Sequence, residues 1–145
     1  MIKIITVGKL KEKYLTLLVD DYLKRINKYH KTIIMEVKDE NDLAKEGDNI
    51  LKHIDTNELI IVLDKDGESW NSEKFAEKIN SFFNDTSKIT FIIGGSEGLH
   101  SSIKSRANYL LSFSNLTFPH GLFRGILLEQ IYRSFKINNN ESYHK

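Results

Sequence analysis

Apolar residues in this chain fall into two patterns that take turns: short continuous runs, and longer stretches in which apolar positions recur every three or four residues. Ile2–Val7 (IKIITV) is rich in β-branched residues and stops at Gly8, which predicts a first strand. Leu10, Tyr14, Leu17, Leu18, Tyr22, Ile26 and Tyr29 then step by three or four, the period of an amphipathic helix with those residues inward. Thr32–Val37 predicts a second strand. Asp39–Ile54 predicts an acidic helix with Leu43, Ile50, Leu51 and Ile54 inward, although Gly47 costs it about 1 kcal/mol relative to Ala and allows two shorter pieces. Leu59–Leu63 (LIIVL) is unbroken by polar residues, as in a strand covered on both faces, and Asp64–Gly67 after it reads as a turn. Ser72 suits the N-cap of a helix with Phe75, Ala76, Ile79, Phe82 and Phe83 inward.

The second half continues with a strand at Ile89–Ile93, a short helix at about Ser101–Ala107 and a strand at Tyr109–Phe113. A last helix at about Gly121–Lys136 carries the stripe Leu122, Phe123, Ile126, Leu127, Ile131 and Phe135. Ile137–Lys145 is polar without a period. Strand and helix alternate throughout, which predicts one α/β domain over residues 1–145, with a mainly parallel sheet and helices on both faces. In such a sheet the loops Gly94–His100 and Ser114–His120 follow neighbouring strand ends on one edge, where open α/β sheets hold ligands.

Composition narrows the class. At 145 residues, 40% hydrophobic and 28% charged, the chain is long enough for a sizeable core and too apolar for a disordered one. It has no cysteine, which excludes disulfides, thiolate metal sites and a Cys nucleophile, and fits a reducing cytosol. No secretory signal or membrane-length run is present, so a soluble, cytoplasmic protein is expected. The net charge of +1 hides an uneven distribution. Met1–Lys38 has nine Lys/Arg against four Asp/Glu, Asp39–Asp85 five against thirteen, and Thr86–Lys145 seven against three. Basic ends can build a polyanion-binding face; solvated helix faces explain the same pattern.

Several residues can carry chemistry. Gly94-Gly95-Ser96-Glu97-Gly98 lies between a strand and a helix, where backbone N–H groups can face a ligand, but it matches neither a Walker loop nor GxGxxG. A purely structural turn fits it equally. Ser114–His120 (SNLTFPH) mixes polar and apolar residues and suits a flat organic ligand such as a purine, or else Leu116 and Phe118 are core anchors. His120 and Arg124 are four apart and can share a helix face, placing a cation beside a titratable group, or else His120 only starts the helix. Glu129 and Arg133 have the spacing of a surface ion pair. Tyr143, His144 and Lys145 suit a base and a phosphate, or form a frayed end. The five histidines lack ligand spacing, and no GxSxG elbow marks a hydrolase.

Taken together, FIIGGSEGLH, LSFSNLTFPH, R-x3-LEQIYR-x-FKI and the terminal YHK closely resemble the RlmH family of SPOUT methyltransferases, as does the start VGKLKEKY. The resemblance spans essentially the whole chain. It implies methylation of a pseudouridine at ring nitrogen three in large-subunit ribosomal RNA, within the ribosome, with S-adenosyl-L-methionine as methyl donor and no metal. It also implies a C-terminal trefoil knot and a homodimer. Family positions for the cofactor correspond here to Leu63, Gly94, Phe113, Ser114, Asn115, Leu116, Thr117 and Phe118. His120, Arg124, Tyr143 and His144 are the catalytic candidates, the last two reaching across the dimer.

In-line methyl transfer depends on positioning and on removing the ring proton. The resemblance assigns His120 to accept that proton or orient the base, Arg124 to stabilise the anionic ring, and Tyr143 and His144 to hold the nucleotide. Lys11, Lys13, Lys24, Arg25 and Lys28 are phosphate-contact candidates. Two other readings stay open: a non-catalytic ribosome- or RNA-binding α/β module, and a small-molecule nucleotide-binding enzyme.

Overall fold

A computed structural model describes residues 1–145 as five strands alternating with five helices. In chain order they are β1 (Ile2–Val7), α1 (Lys13–Ile26), β2 (Thr32–Val37), α2 (Leu43–Leu51), β3 (Leu59–Ser69), α3 (Ser72–Asp85), β4 (Ile89–Ile93), α4 (Ser101–Arg106), β5 (Tyr109–Ser112) and α5 (His120–Asn138). All strand pairs are parallel, in the order β2-β1-β4-β3-β5. The period of two along each strand sorts side chains onto two faces. Ile2, Ile4, Ile61, Phe91 and Leu111 pack under α1, α3 and α5, whereas Ile5, Val7, Val62 and Ile92 pack against Ile50 of α2 and Ile103 of α4. The molecule is therefore a three-layer α/β domain.

Four local expectations change. Asp64–Gly67 is not a free turn but part of β3. Leu63 and Glu68 both pair with Leu111, so the four residues between them bulge out of the ladder. A Cβ on Gly67 would lie 2.5 Å from the carbonyl of Leu110, so only glycine fits that backbone contact. The α3 cap is Asn71, whose side chain accepts from the Lys74 N–H at 2.8 Å; Ser72 instead donates to Gln130 Oε1 at 2.7 Å, tying α3 to α5. Helix α2 covers only Leu43–Leu51, capped by Asp42, and its Gly47 makes room for α4: a Cβ there would lie 3.2 Å from His100 Cβ.

The fourth change concerns α1. Its buried residues are Leu15, Val19 and Ile26, while Tyr14 and Leu17 are 69% and 60% exposed. The close partner of α1 is α5, where Leu18 fills the space beside Gly125: a Cβ there would lie 2.5 Å from Leu18 Cδ2. That contact turns the helix so that Tyr14 and Leu17 face outward. α5 lies between α1 and α3 and buries residues all round, including Arg124, Leu127, Leu128, Ile131, Tyr132 and Ser134. No helix is long and apolar enough to cross a membrane.

Candidate functional site

The bulge of β3 and the C-terminal ends of β4 and β5 open onto a cavity of about 540 Å³, within the usual size range of small-molecule sites. One wall is the glycine turn after β4. Gly98, at φ +79°, donates its N–H to the Gly95 carbonyl at 3.1 Å, closing the turn. At Gly94 a Cβ would lie 2.8 Å from Leu99 Cγ and 2.9 Å from the Gly98 oxygen, so a side chain there would press into the turn. The opposite wall is the loop after β5, which pins itself. Ser112 Oγ donates to the Ser114 carbonyl at 3.1 Å, and Ser114 Oγ accepts from the Leu116 N–H at 2.9 Å. Phe113 meets Phe123 edge to face at 5.2 Å and Phe118 stacks on the same ring at 6.3 Å, fastening the loop to α5.

Leu63, Gly94, Phe113, Ser114, Leu116, Thr117 and Phe118 all line this cavity; Asn115 is exposed beside it. The sequence reading missed Asp64 and Lys104, which pair across the cavity wall at 3.0 Å. Burial works against the Asp64 charge, but hydrogen bonds from Lys104 and the Asp66 N–H outweigh it and hold the carboxyl below its usual range. Asp64 was findable, as the residue following an apolar strand on the ligand edge. Its partner, forty positions away, was not.

His120 opens α5 and is exposed. It lines the first cavity and also a second, of about 1170 Å³, formed by the ends of β1 and β2, the loop into α1 and the first turn of α5. Arg124, one turn on, lines only the second. It is 3% exposed; Nη1 donates to Glu36 Oε2 at 2.6 Å, and Nη2 to the carbonyls of Gly8 at 2.8 Å and Val7 at 3.3 Å. Its Nε is buried without a partner. The guanidinium is thus committed to holding the start of α5 against the ends of β1 and β2.

Within one chain the tail is not brought to either cavity. Tyr143 donates to Glu129 Oε1 at 2.9 Å and packs its ring edge to face on Tyr132 at 4.9 Å. Its hydroxyl is raised well above the ordinary phenol range, by burial first and then by its hydrogen bonds with Tyr22 and Glu129, so it remains a proton donor. His144 bridges Arg133 at 3.0 Å and Glu73 at 2.9 Å. Glu129 and Arg133 form the anticipated pair at 2.6 Å. The basic residues of α1 lie along its outer face, where Arg25 pairs with Asp21 at 3.1 Å, while Lys11 stands at the second cavity. No group of three or more His, Asp or Glu side chains is disposed around a metal position.

Comparison with known proteins adds to this geometry. The family model described as predicted SPOUT methyltransferase matches residues 1–144. The chain is 51% identical to proteins named ribosomal RNA large subunit methyltransferase H from Clostridium botulinum (strain Hall) and Clostridium tetani (strain Massachusetts), with 99% of each chain covered in both cases. Among solved structures, a probable methylase family protein from Haemophilus influenzae Rd KW20 superposes with a TM-score of 0.62 at 15% identity, covering 99% of this chain and 70% of that one. The SpoU methyltransferase AviRb from Streptomyces viridochromogenes gives 0.52 at 9% identity, covering 98% and 62%. These two likenesses concern the fold.

Proposed function

The chain belongs to the SPOUT methyltransferase family, and from that premise we propose that it methylates ring nitrogen three of a pseudouridine in large-subunit ribosomal RNA, on the assembled ribosome in the cytoplasm. The observation that carries this reading is the first cavity with His120 at its margin. Its residues fit S-adenosylmethionine: an aromatic and aliphatic wall for the adenine, exposed backbone groups in two tight loops for its polar edges, and the carboxylates of Asp64 and Glu97 for a cationic cosubstrate. When bound, that molecule supplies a methyl group on a sulfonium, an inherently good leaving group.

The chain's own residues then hold and orient. Leu63, Gly94 and Phe113–Phe118 bind the donor, Asn115 through its backbone. His120 accepts the ring proton or fixes the base, so that the nitrogen lone pair faces the methyl group. Arg124 stabilises the site by position: its hydrogen bonds to Glu36, Val7 and Gly8 fix the helix that starts at His120. Tyr143 and His144 serve the site of the other subunit in a homodimer. Exposed Leu17 and Leu116 support such an interface, since large apolar side chains left in water favour burial between subunits. A C-terminal trefoil knot belongs to the same proposal.

The test uses ribosomes that lack the modification, labelled S-adenosylmethionine and the full chain, followed by nucleoside mass spectrometry of the large-subunit RNA. The reading requires label in N3-methylpseudouridine. Label in another nucleoside contradicts the specificity, and cofactor binding without transfer supports a non-catalytic module.

A further inference from the structure

We infer that the second cavity receives the nucleotide to be methylated, and that Tyr14 is the aromatic face on which its ring stacks. This rests on the methyltransferase reading above and assigns the site that reading leaves open, the one for the RNA.

Position is the first argument. His120 is the one residue common to the walls of both cavities, so a donor in the first and a ring nitrogen in the second meet beside it. The second argument is charge. Arg124 already neutralises Glu36. What remains at the second cavity is Lys9, Lys11 and Lys38 against Glu12 and Asp39. The first cavity has the opposite balance, Asp64, Asp66 and Glu97 against Lys65 and Lys104. A cationic cosubstrate and an anionic nucleotide are complementary to the two cavities in that order. The start of α5 reinforces this, because Pro119, His120, Gly121 and Leu122, at the positive end of the helix, all line the second cavity.

The third argument is Tyr14 itself. It lines the cavity yet is 69% exposed, a large ring left mostly uncovered on a wall that also carries Lys9, Lys11 and Lys38. Single-stranded and flipped-out bases are bound by such combinations of an aromatic platform and backbone-contacting cations.

The experiment compares wild type, Tyr14→Ala and Tyr14→Phe as full chains. It reads kcat/KM toward unmodified ribosomes at saturating S-adenosylmethionine, the calorimetric affinity for S-adenosylmethionine, and the solution mass by sedimentation. Because it removes one base–aromatic stack, Tyr14→Ala is expected to lower kcat/KM about tenfold. Tyr14→Phe, which keeps the ring, stays close to wild type, and neither variant changes cofactor affinity or mass. An unchanged kcat/KM in Tyr14→Ala overturns the inference. So does a loss accompanied by a changed mass, which assigns Tyr14 to a subunit interface, or by weaker cofactor binding. If wild type itself transfers no methyl group, the methyltransferase reading fails first and visibly.

Discussion

Arg124 and Glu36 are 88 positions apart in sequence and 2.6 Å apart in the fold, and their contact joins the first turn of α5 to the ends of two strands. Glu36 Oε2 also accepts from the Leu10 N–H at 3.1 Å, so one carboxylate fixes both the loop into α1 and the arginine beneath it. Removing a buried, multiply bonded cation strands its partners. Arg124→Ala is expected to lose about 3–5 kcal/mol of stability in urea unfolding followed by Trp70 fluorescence. The Glu36 side chain is 38% exposed, so Glu36→Gln loses only about 1 kcal/mol. Equal stability of Arg124→Ala and wild type contradicts the structural role given to this pair.

Gly67→Ala is expected to destabilise by about 1–3 kcal/mol or to shift the β3–β5 register, because its methyl group would lie 2.5 Å from backbone atoms that cannot rotate away. Gly8→Ala makes a useful contrast. Gly8 has a positive φ of 86° but open space around it, so its cost is conformational and independent of packing. A Gly67→Ala protein with wild-type urea midpoint contradicts the close contact.

The strands were legible because short, mostly β-branched runs such as LIIVL and ITFII, apolar but for Thr90, are bounded by polar turn residues, as buried strands are. The edge of the sheet that holds the candidate site followed from parallel strands alone. The face of α1 was legible only in part: Leu10, Leu18, Tyr22, Ile26 and Tyr29 turn inward as expected, but Tyr14 and Leu17 do not. Leu15 and Val19 form a stripe as regular as the one through Tyr14 and Leu17, and the choice between them is made by Leu18 seating against Gly125 of α5. The same holds for the surroundings of Arg124: four residues from His120 it reads as a catalytic candidate, and nothing in the sequence signals that its guanidinium is held by Glu36, 88 positions away, and by Val7 and Gly8, more than a hundred away. Gly47 looked like a helix weakness and sits close against His100, whose Cβ would lie 3.2 Å from a Cβ at that position.

At the other end of the sheet, Glu58 accepts from Lys3 Nζ at 2.8 Å and from Thr90 Oγ1 at 2.6 Å, with its side chain wholly buried. Lys3 Nζ also donates to the His53 carbonyl. Burial opposes the Glu58 charge, but the hydrogen bonds from Lys3 and Thr90 prevail and hold the carboxyl below its ordinary 4.5. A carboxylate depressed in the folded state contributes stability that is complete above its unfolded value and lost as pH falls through its native one. Wild type therefore loses stability on acidification below 4.5, whereas Glu58→Gln starts about 3–5 kcal/mol lower at neutral pH and shows a shallower acid loss. Parallel stability curves for the two proteins contradict this.

Tyr143→Phe removes the bond to Glu129 but keeps the ring on Tyr132, so folding stability falls by only about 1 kcal/mol. If the tail serves the other subunit's nucleotide, kcat/KM toward ribosomes falls further than that stability loss explains, while cofactor affinity is kept. Mixing Tyr143→Phe with His120→Ala then restores activity in the fraction of hybrid dimers that carry one intact composite site. No rescue in hybrids contradicts service across the dimer.

If the cavity between Leu63, the Gly94 turn and Phe113–Phe118 holds the methyl donor and delivers it past His120, both binding and transfer are measurable in one protein. Calorimetric titration of the full chain with S-adenosylmethionine, followed in the same preparation by single-turnover transfer to unmodified ribosomes, tests both halves. The predicted result is saturable binding by wild type and His120→Ala alike, with methyl transfer to large-subunit RNA by wild type and a slowing of about 10²–10⁴-fold in His120→Ala. Absence of cofactor binding by wild type, or full turnover by a folded His120→Ala protein, would contradict it.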